Sequence, residues 1–239
     1  MNRKRLSGDS LQKPSSLREQ ISTALRAALI TGEMLPGETY SVPAIAEKFG
    51  ISATPVREAM LDLTKDGILV ALPNKGFQVV ATSAETLRQL TEIRLLLEIR
   101  VTVEIAKAIT PKQVARLREI AMEIQGFAKE NDLMNFIEMD RIFHSGILEL
   151  SGNPMLVEVA DQFRSRARIH ALPYILESGQ LEASAFEHIQ LLDAMEQRDL
   201  ETVARVMDHH INYTIDAVLA MSLVTVSYTH LTLPTKRIV

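Results

Sequence analysis

Ser52-Ala53-Thr54-Pro55-Val56-Arg57-Glu58-Ala59-Met60, with Asp66-Gly67 and Pro73-Asn74-Lys75-Gly76 behind it, is the stretch on which the fold turns. A hydroxyl residue just ahead of a proline marks a helix start, because its oxygen caps unpaired N–H groups and proline fits the first turn. Either Ser52 or Thr54 fills that place. Val56, Ala59, Met60 and Leu63 then recur at helical spacing, turning one stripe inward and leaving Thr54, Arg57, Glu58 and Lys65 outward, until Gly67 stops the helix. Upstream, Val42, Ile45, Ala46 and Phe49 mark a short helix, and Gly50-Ile51-Ser52 is a tight turn into the next one, which is helix-turn-helix spacing. Downstream, Ile68 to Leu72 and Phe77 to Ala81 are β-prone runs joined by the Pro73–Gly76 reversal, a hairpin. The expectation is a winged helix-turn-helix.

Residues Gly32 to Ala81 resemble the DNA-binding module of the GntR family of bacterial transcription regulators. The resemblance rests on Pro36-Gly37, Ile45-Ala46, Gly50-Ile51-Ser52, Thr54-Pro55-Val56-Arg57-Glu58-Ala59, Asp66-Gly67-Ile68 and Gly76. It implies that Ser52, Thr54 and Arg57 contact bases and phosphates, that Gly76 approaches the minor groove, and that Lys75 meets a phosphate. Two positions depart from the family pattern: Ala53 and Pro43 stand where basic residues are usual. An arginine reading guanine is worth about 1–3 kcal/mol of discrimination, so the operator read by other members does not transfer to this chain.

Charge divides the 239 residues. Residues 1–82 carry 10 Lys and Arg against 8 Asp and Glu, a net of +2, while residues 83–225 carry 14 against 22, a net of −8. Contact with a polyanion therefore belongs to the front. There is no cysteine, which excludes disulfides, thiolate ligands and cysteine nucleophiles. No apolar run reaches the roughly 18–20 residues of a membrane span, and the basic start at Arg3-Lys4-Arg5 leads into no apolar segment, so a soluble, cytoplasmic protein is expected.

Residues 1–16 read as a disordered arm and 17–82 as the winged unit, with a first helix from Leu17 to Thr31. Residues 83–225 read as an all-α antiparallel bundle of about six helices, near 84–109, 112–130, 133–151, 154–171, 181–197 and 200–222. The final segment, 226–239, is β-prone and resembles an in-frame translation of a transposon-end adapter, so it is set aside as a non-native tail.

Within the bundle, Asp140 and His144 lie four apart on one helix and project from the same face. His188 and His210 stand eleven residues before and after the reversal at Asp199, hence at matching height on neighbouring helices. One oxygen and three imidazoles can converge on a cation, and Zn, Ni, Mn or Fe suits that donor set.

The body also resembles the FCD effector domain of the FadR subfamily, through Glu92-Ile93-Arg94 with Glu98, Asp140-Arg141-Ile142-Phe143-His144, Gly152-Asn153, Glu187-His188 and His209-His210-Ile211. That resemblance implies a divalent metal on Asp140, His144, His188 and His210, with a small carboxylate effector at its remaining positions. His209 is the alternative to His210; neighbours on a helix point about 100° apart, so one of them faces the core. Arg94 is the candidate to grip the effector carboxylate, the alternative being an ion pair with Glu98. Arg164, Arg166 and Arg168 read as a solvated face.

The function expected is a homodimeric, ligand-responsive regulator on an inverted-repeat operator, a repressor released by its effector. Two alternatives are a metal-dependent enzyme on a helical bundle, which lacks HExxH, GxSxG and phosphate-loop motifs here, and a regulator with a structural metal or an acyl-thioester effector.

Overall fold

The computed structural model describes residues 16–177 and 179–229. The arm expected over 1–16 lies outside them except for Ser16, which caps the first helix. Its hydroxyl accepts the Glu19 N–H at 3.2 Å, and the Glu19 carboxylate accepts the Ser16 N–H at 2.7 Å, a reciprocal box that starts α1, Leu17–Ile30. Ser41 caps α2, Val42–Phe49, by its hydroxyl alone, which accepts the Ala44 N–H at 3.3 Å, and Gly50 ends it in the left-handed conformation at φ 66°, where a side chain would be strained. The helix α3, Ala53–Lys65, buries Val56, Ala59, Met60 and Leu63 completely against α1 and α2.

The expected hairpin is a three-stranded antiparallel sheet in the order β1-β3-β2. β2, Leu69–Leu72, pairs with β3, Gly76–Val79, and β1, Thr39–Tyr40, adds itself to the other edge of β3 through Thr39–Gln78 and Tyr40–Phe77. Two residues carry no alternation, so periodicity does not reveal β1.

The body begins at α4, Ala84–Arg94, with Ser83 as cap. The helix expected over 84–109 is not uniform: Leu95–Ile99 widens into a π turn before α5, Arg100–Ala106. Then follow α6, Pro111–Glu130; α7, Leu133–Glu149; α8, Pro154–Glu177; α9, Leu181–Gln197; and α10, Leu200–Thr229. Asn131 and Arg198 take left-handed conformations at φ 54° and 55° to reverse the chain. α8 continues through Pro173, where a stop was expected; an internal proline forfeits one backbone bond, a local cost that bends a helix without having to end it. α10 likewise runs on to Thr229, so the start of the β-prone tail is helical; its remainder lies outside the described residues.

Two apolar clusters result. One joins α1, α2, α3 and the sheet; the other fills the bundle around Phe136, Phe143, Ile147, Leu191 and Leu192. They meet along α1, which packs on α7 and α8 and whose last residue, Ile30, belongs to the second cluster. Arg26 of α1 pairs with Asp66 at the end of α3. Beside it, Gly67 takes a φ of 69°, which favours glycine, and a Cβ there would lie 2.8 Å from Arg166 Cδ of α8, displacing that side chain.

Candidate DNA-reading surface and metal centre

On α3 the inward stripe leaves Ser52, Thr54 and Arg57 exposed along the outer edge. Ser52 stands at the capping position by backbone geometry, yet its hydroxyl makes no capping hydrogen bond. Lys75 is exposed in the β2–β3 turn, which Asn74 closes at φ 59°. Gly76 is half-buried at φ 118°, and a side chain there would strike the Tyr40 carbonyl; its glycine is thus explained by the approach of β1 as well as by any approach of DNA. The surface is a basic and hydroxyl-bearing helix edge with a short wing beside it, the shape of a major-groove reader.

In the body, α7 supplies Asp140 and His144, α9 supplies His188 and α10 supplies His210. Their ligand atoms lie within 4.8 Å of one another, and all four side chains are buried. The three imidazole rings form a triangle with centroids 5.0 Å apart on each side, and Phe143 packs edge-on against His144 and His188. His144 Nε2 and His188 Nε2 are 3.1 Å apart, and Asp140 Oδ1 lies 3.1 Å from His188 Nε2 and 3.7 Å from His144 Nε2. That oxygen is buried without a hydrogen-bond partner.

An orphaned carboxylate oxygen facing clustered ring nitrogens is costly by itself and is resolved by a cation. Ligand bonds of about 2.1 Å set neighbouring donor atoms roughly 3.0–3.4 Å apart, which the closest separations here match. The residues fit a divalent metal. Burial pushes all three histidines down, His188 to about 3 and the other two well below their ordinary value, so each presents a neutral ring as a metal requires.

Outer groups fix those rings. His210 Nδ1 lies 2.7 Å from Glu187 Oε2, and His188 Nδ1 lies 3.1 Å from the Ala185 carbonyl, which turns Nε2 of each ring inward. The neighbouring His209 is largely exposed, with Nδ1 2.5 Å from Glu187 Oε1, so His210 is the histidine that faces the cluster.

Arg94 does pair with Glu98, Nε to Oε1 at 2.8 Å, but the pair is buried and borders the cluster. The π turn carries Glu98 inward, and π turns recur where a helix must aim a functional side chain. The reading of Arg164 and Arg168 as solvated is corrected. Arg164 is buried against Glu98 Oε2, and Arg168 pairs with Asp140 Oδ2 while lying 5.7 Å from the Phe136 ring centroid. Burial lowers Arg94 to about 10 and Arg168 to about 9, still charged at neutral pH. The available signal was spacing: Arg164 and Arg168 lie four apart, as Asp140 and His144 do, and share a face that Arg166 does not.

The fold and these two sites define a class: a winged-helix DNA reader fused to a helical body with a metal-type ligand set at its centre. Comparison with known proteins agrees. Residues 17–79 match the bacterial regulatory proteins of the gntR family, and residues 89–213 match the FCD domain. The regulator McbR of Escherichia coli is 28% identical over 85% of this chain and 95% of its own length, and the repressor RspR of the same organism is 23% identical over 87% and 91%. The solved structure of E. coli McbR superposes with a TM-score of 0.70 at 26% identity, covering 87% of this chain and all of the other. The chain belongs to the gntR family and carries an FCD domain. No described helix is long and apolar enough to cross a membrane.

Proposed function

We propose that this gntR-family transcription regulator is a cytoplasmic homodimeric repressor whose two heads grip an inverted-repeat operator, and that a small carboxylate arriving at a metal in the body releases it. Asp140, His144, His188 and His210 hold the metal. Zn, Ni, Mn or Fe suits one carboxylate and three imidazoles, and supplies open coordination positions to an anion. Arg94 is the guanidinium for the effector carboxylate, with Arg164 and Arg168 beside it. Ser52, Thr54, Arg57, Lys75 and Gly76 meet the DNA, and two-fold symmetry of the protein dictates two-fold symmetry of the operator. The effector acts by binding one arrangement of heads and body better than the other.

The observation that carries the reading is the unpartnered Asp140 Oδ1 at the centre of three neutral imidazoles. Its test pairs elemental analysis of the purified full-length protein with gel shifts on DNA around its own gene. One equivalent of a divalent metal and a sequence-specific shift are expected. Metal-free protein after growth in metal-replete medium removes the metal centre from the scheme, and indifference to every promoter fragment removes the reader. Turnover of a carboxylic acid by metal-loaded protein would favour the enzyme reading instead.

A further inference from the structure

The candidate metal centre is closed on nearly every side. Asp140, His144, His188, His210, Arg94, Glu98 and Arg164 all have side chains 7% exposed or less. Two groups at its border are more open: Glu187 on α9 at 12%, paired with His210, and Arg168 on α8 at 15%, paired with Asp140. An anion is repelled by the carboxylate and drawn to the guanidinium.

Arg168 forms part of the wall of a cleft between the front unit and the body. Arg26 of α1, Ile137 and Arg141 of α7, and Arg164, Ser165 and Arg168 of α8 line it. Glu138, the remaining lining group, is held by Arg141 at 2.6 Å. Four guanidiniums line a narrow opening, each already paired: Arg26 with Asp66, Arg141 with Glu138, Arg164 with Glu98 and Arg168 with Asp140, so an incoming anion must exchange with a carboxylate. Its open volume is about 30 Å³, room for a water or two and not for a carboxylate. Anything larger must displace a side chain, and Arg168 is the one that stands between the cleft and Asp140.

We infer that small carboxylates reach the metal centre through this cleft between α1, α7 and α8, with Arg168 as a gate that exchanges Asp140 for the incoming anion. The inference rests on the metal-site reading above and adds to it the route and the residues that select by charge. Arg26 sets the rim. Since its carboxylate partner is Asp66 at the end of α3, an anion at the rim competes directly with a contact made to the DNA-reading helix.

The test uses full-length protein loaded with Co2+, whose visible bands respond to added ligands, and acetate as the probe carboxylate, followed by stopped flow. Ser165→Trp plugs the cleft, and Arg26→Glu reverses the rim charge without filling it. Both variants should take up Co2+ with wild-type bands and admit acetate about tenfold more slowly, the Arg26→Glu effect shrinking with added salt. Arg205→Glu, the same charge change on exposed α10, should leave the rate unchanged. Wild-type rates in both cleft variants overturn the route while leaving the metal centre standing, as does equal slowing by Arg205→Glu. Wild-type protein that takes up no Co2+, or whose bands ignore acetate, overturns the centre and the route together. Should Ser165→Trp not fold, Arg26→Glu decides alone.

Discussion

The front unit and the body solve opposite problems. In the front unit the buried set is wholly apolar, from Ile21 and Leu25 through Val56, Met60 and Leu63 to Val79, and the side chains proposed to meet DNA, Ser52, Thr54, Arg57 and Lys75, are exposed. In the body every buried ionisable residue of the described chain is gathered: Arg94, Glu98, Asp140, Arg164 and the three inward, neutral histidines. A DNA reader needs stiffness beneath an exposed edge. A small-molecule site needs a dry, charged interior, which burial makes expensive and pairing makes tolerable. The contrast predicts that the two halves fail for different reasons.

The largest effect should come from Asp140→Ala. The substitution takes away the carboxylate that holds the partly buried Arg168 and leaves that guanidinium uncompensated, for a loss of about 3–5 kcal/mol in urea unfolding and loss of stoichiometric metal. A variant as stable as wild type would mean the charged centre does not hold the body together. Leu63→Ala, by contrast, opens a void in the apolar half and should cost about 2–5 kcal/mol while leaving metal uptake per folded molecule intact. Loss of metal from folded Leu63→Ala would show that the halves are not separable in this sense.

Acidification should sharpen the contrast further, since the front unit has no histidine. In metal-free protein the unfolded chain protonates its histidines below about pH 6.5 while the folded chain, with His188 lowered to about 3, does not. Stability is therefore fully present above pH 6.5 and falls as the pH drops toward 3, by roughly 1.4 kcal/mol per pH unit for each such histidine. Fluorescence-monitored urea curves at pH 7.5 and 5.5 should show this, and a flat profile would contradict buried neutral rings. The smallest effect on the fold, and a local one on function, belongs to Arg57→Ala. Its side chain is exposed, so melting should be unchanged while operator affinity drops by about 1–3 kcal/mol in gel shift. Unchanged affinity would count against α3 as the reading helix.

Periodicity carried most of the fold. The stripe of Val56, Ala59, Met60 and Leu63 and the stop at Gly67 mark a helix because burial and backbone conformation act locally, within a few residues of the signal. β1 escaped because it is held by partners far along the chain. The π turn at Leu95–Ile99 has no local spelling either; nothing in Leu-Leu-Leu-Glu-Ile distinguishes it from ordinary helix. At the candidate site, the spacing of Asp140 with His144 and the symmetry of His188 and His210 about Asp199 were readable. Arg164 and Arg168 were not, for a physical reason. Pattern reading assigns arginine to water, and that assumption fails where carboxylates such as Glu98 and Asp140 await it inside.

One rod, α1, is keyed into both cores, through Ile21, Leu25 and Leu29 along one face and through Ile30, turned about 100° from Leu29, in its last turn. The reader is thus not a bead on a string. Fourteen residues of helix span about 21 Å, so pivoting the rod by about five degrees around Ile30 shifts its far tip by roughly 2 Å. An adjustment small enough to fit within a packed interior is, at the end of that lever, comparable with the tolerance of hydrogen bonds to base edges.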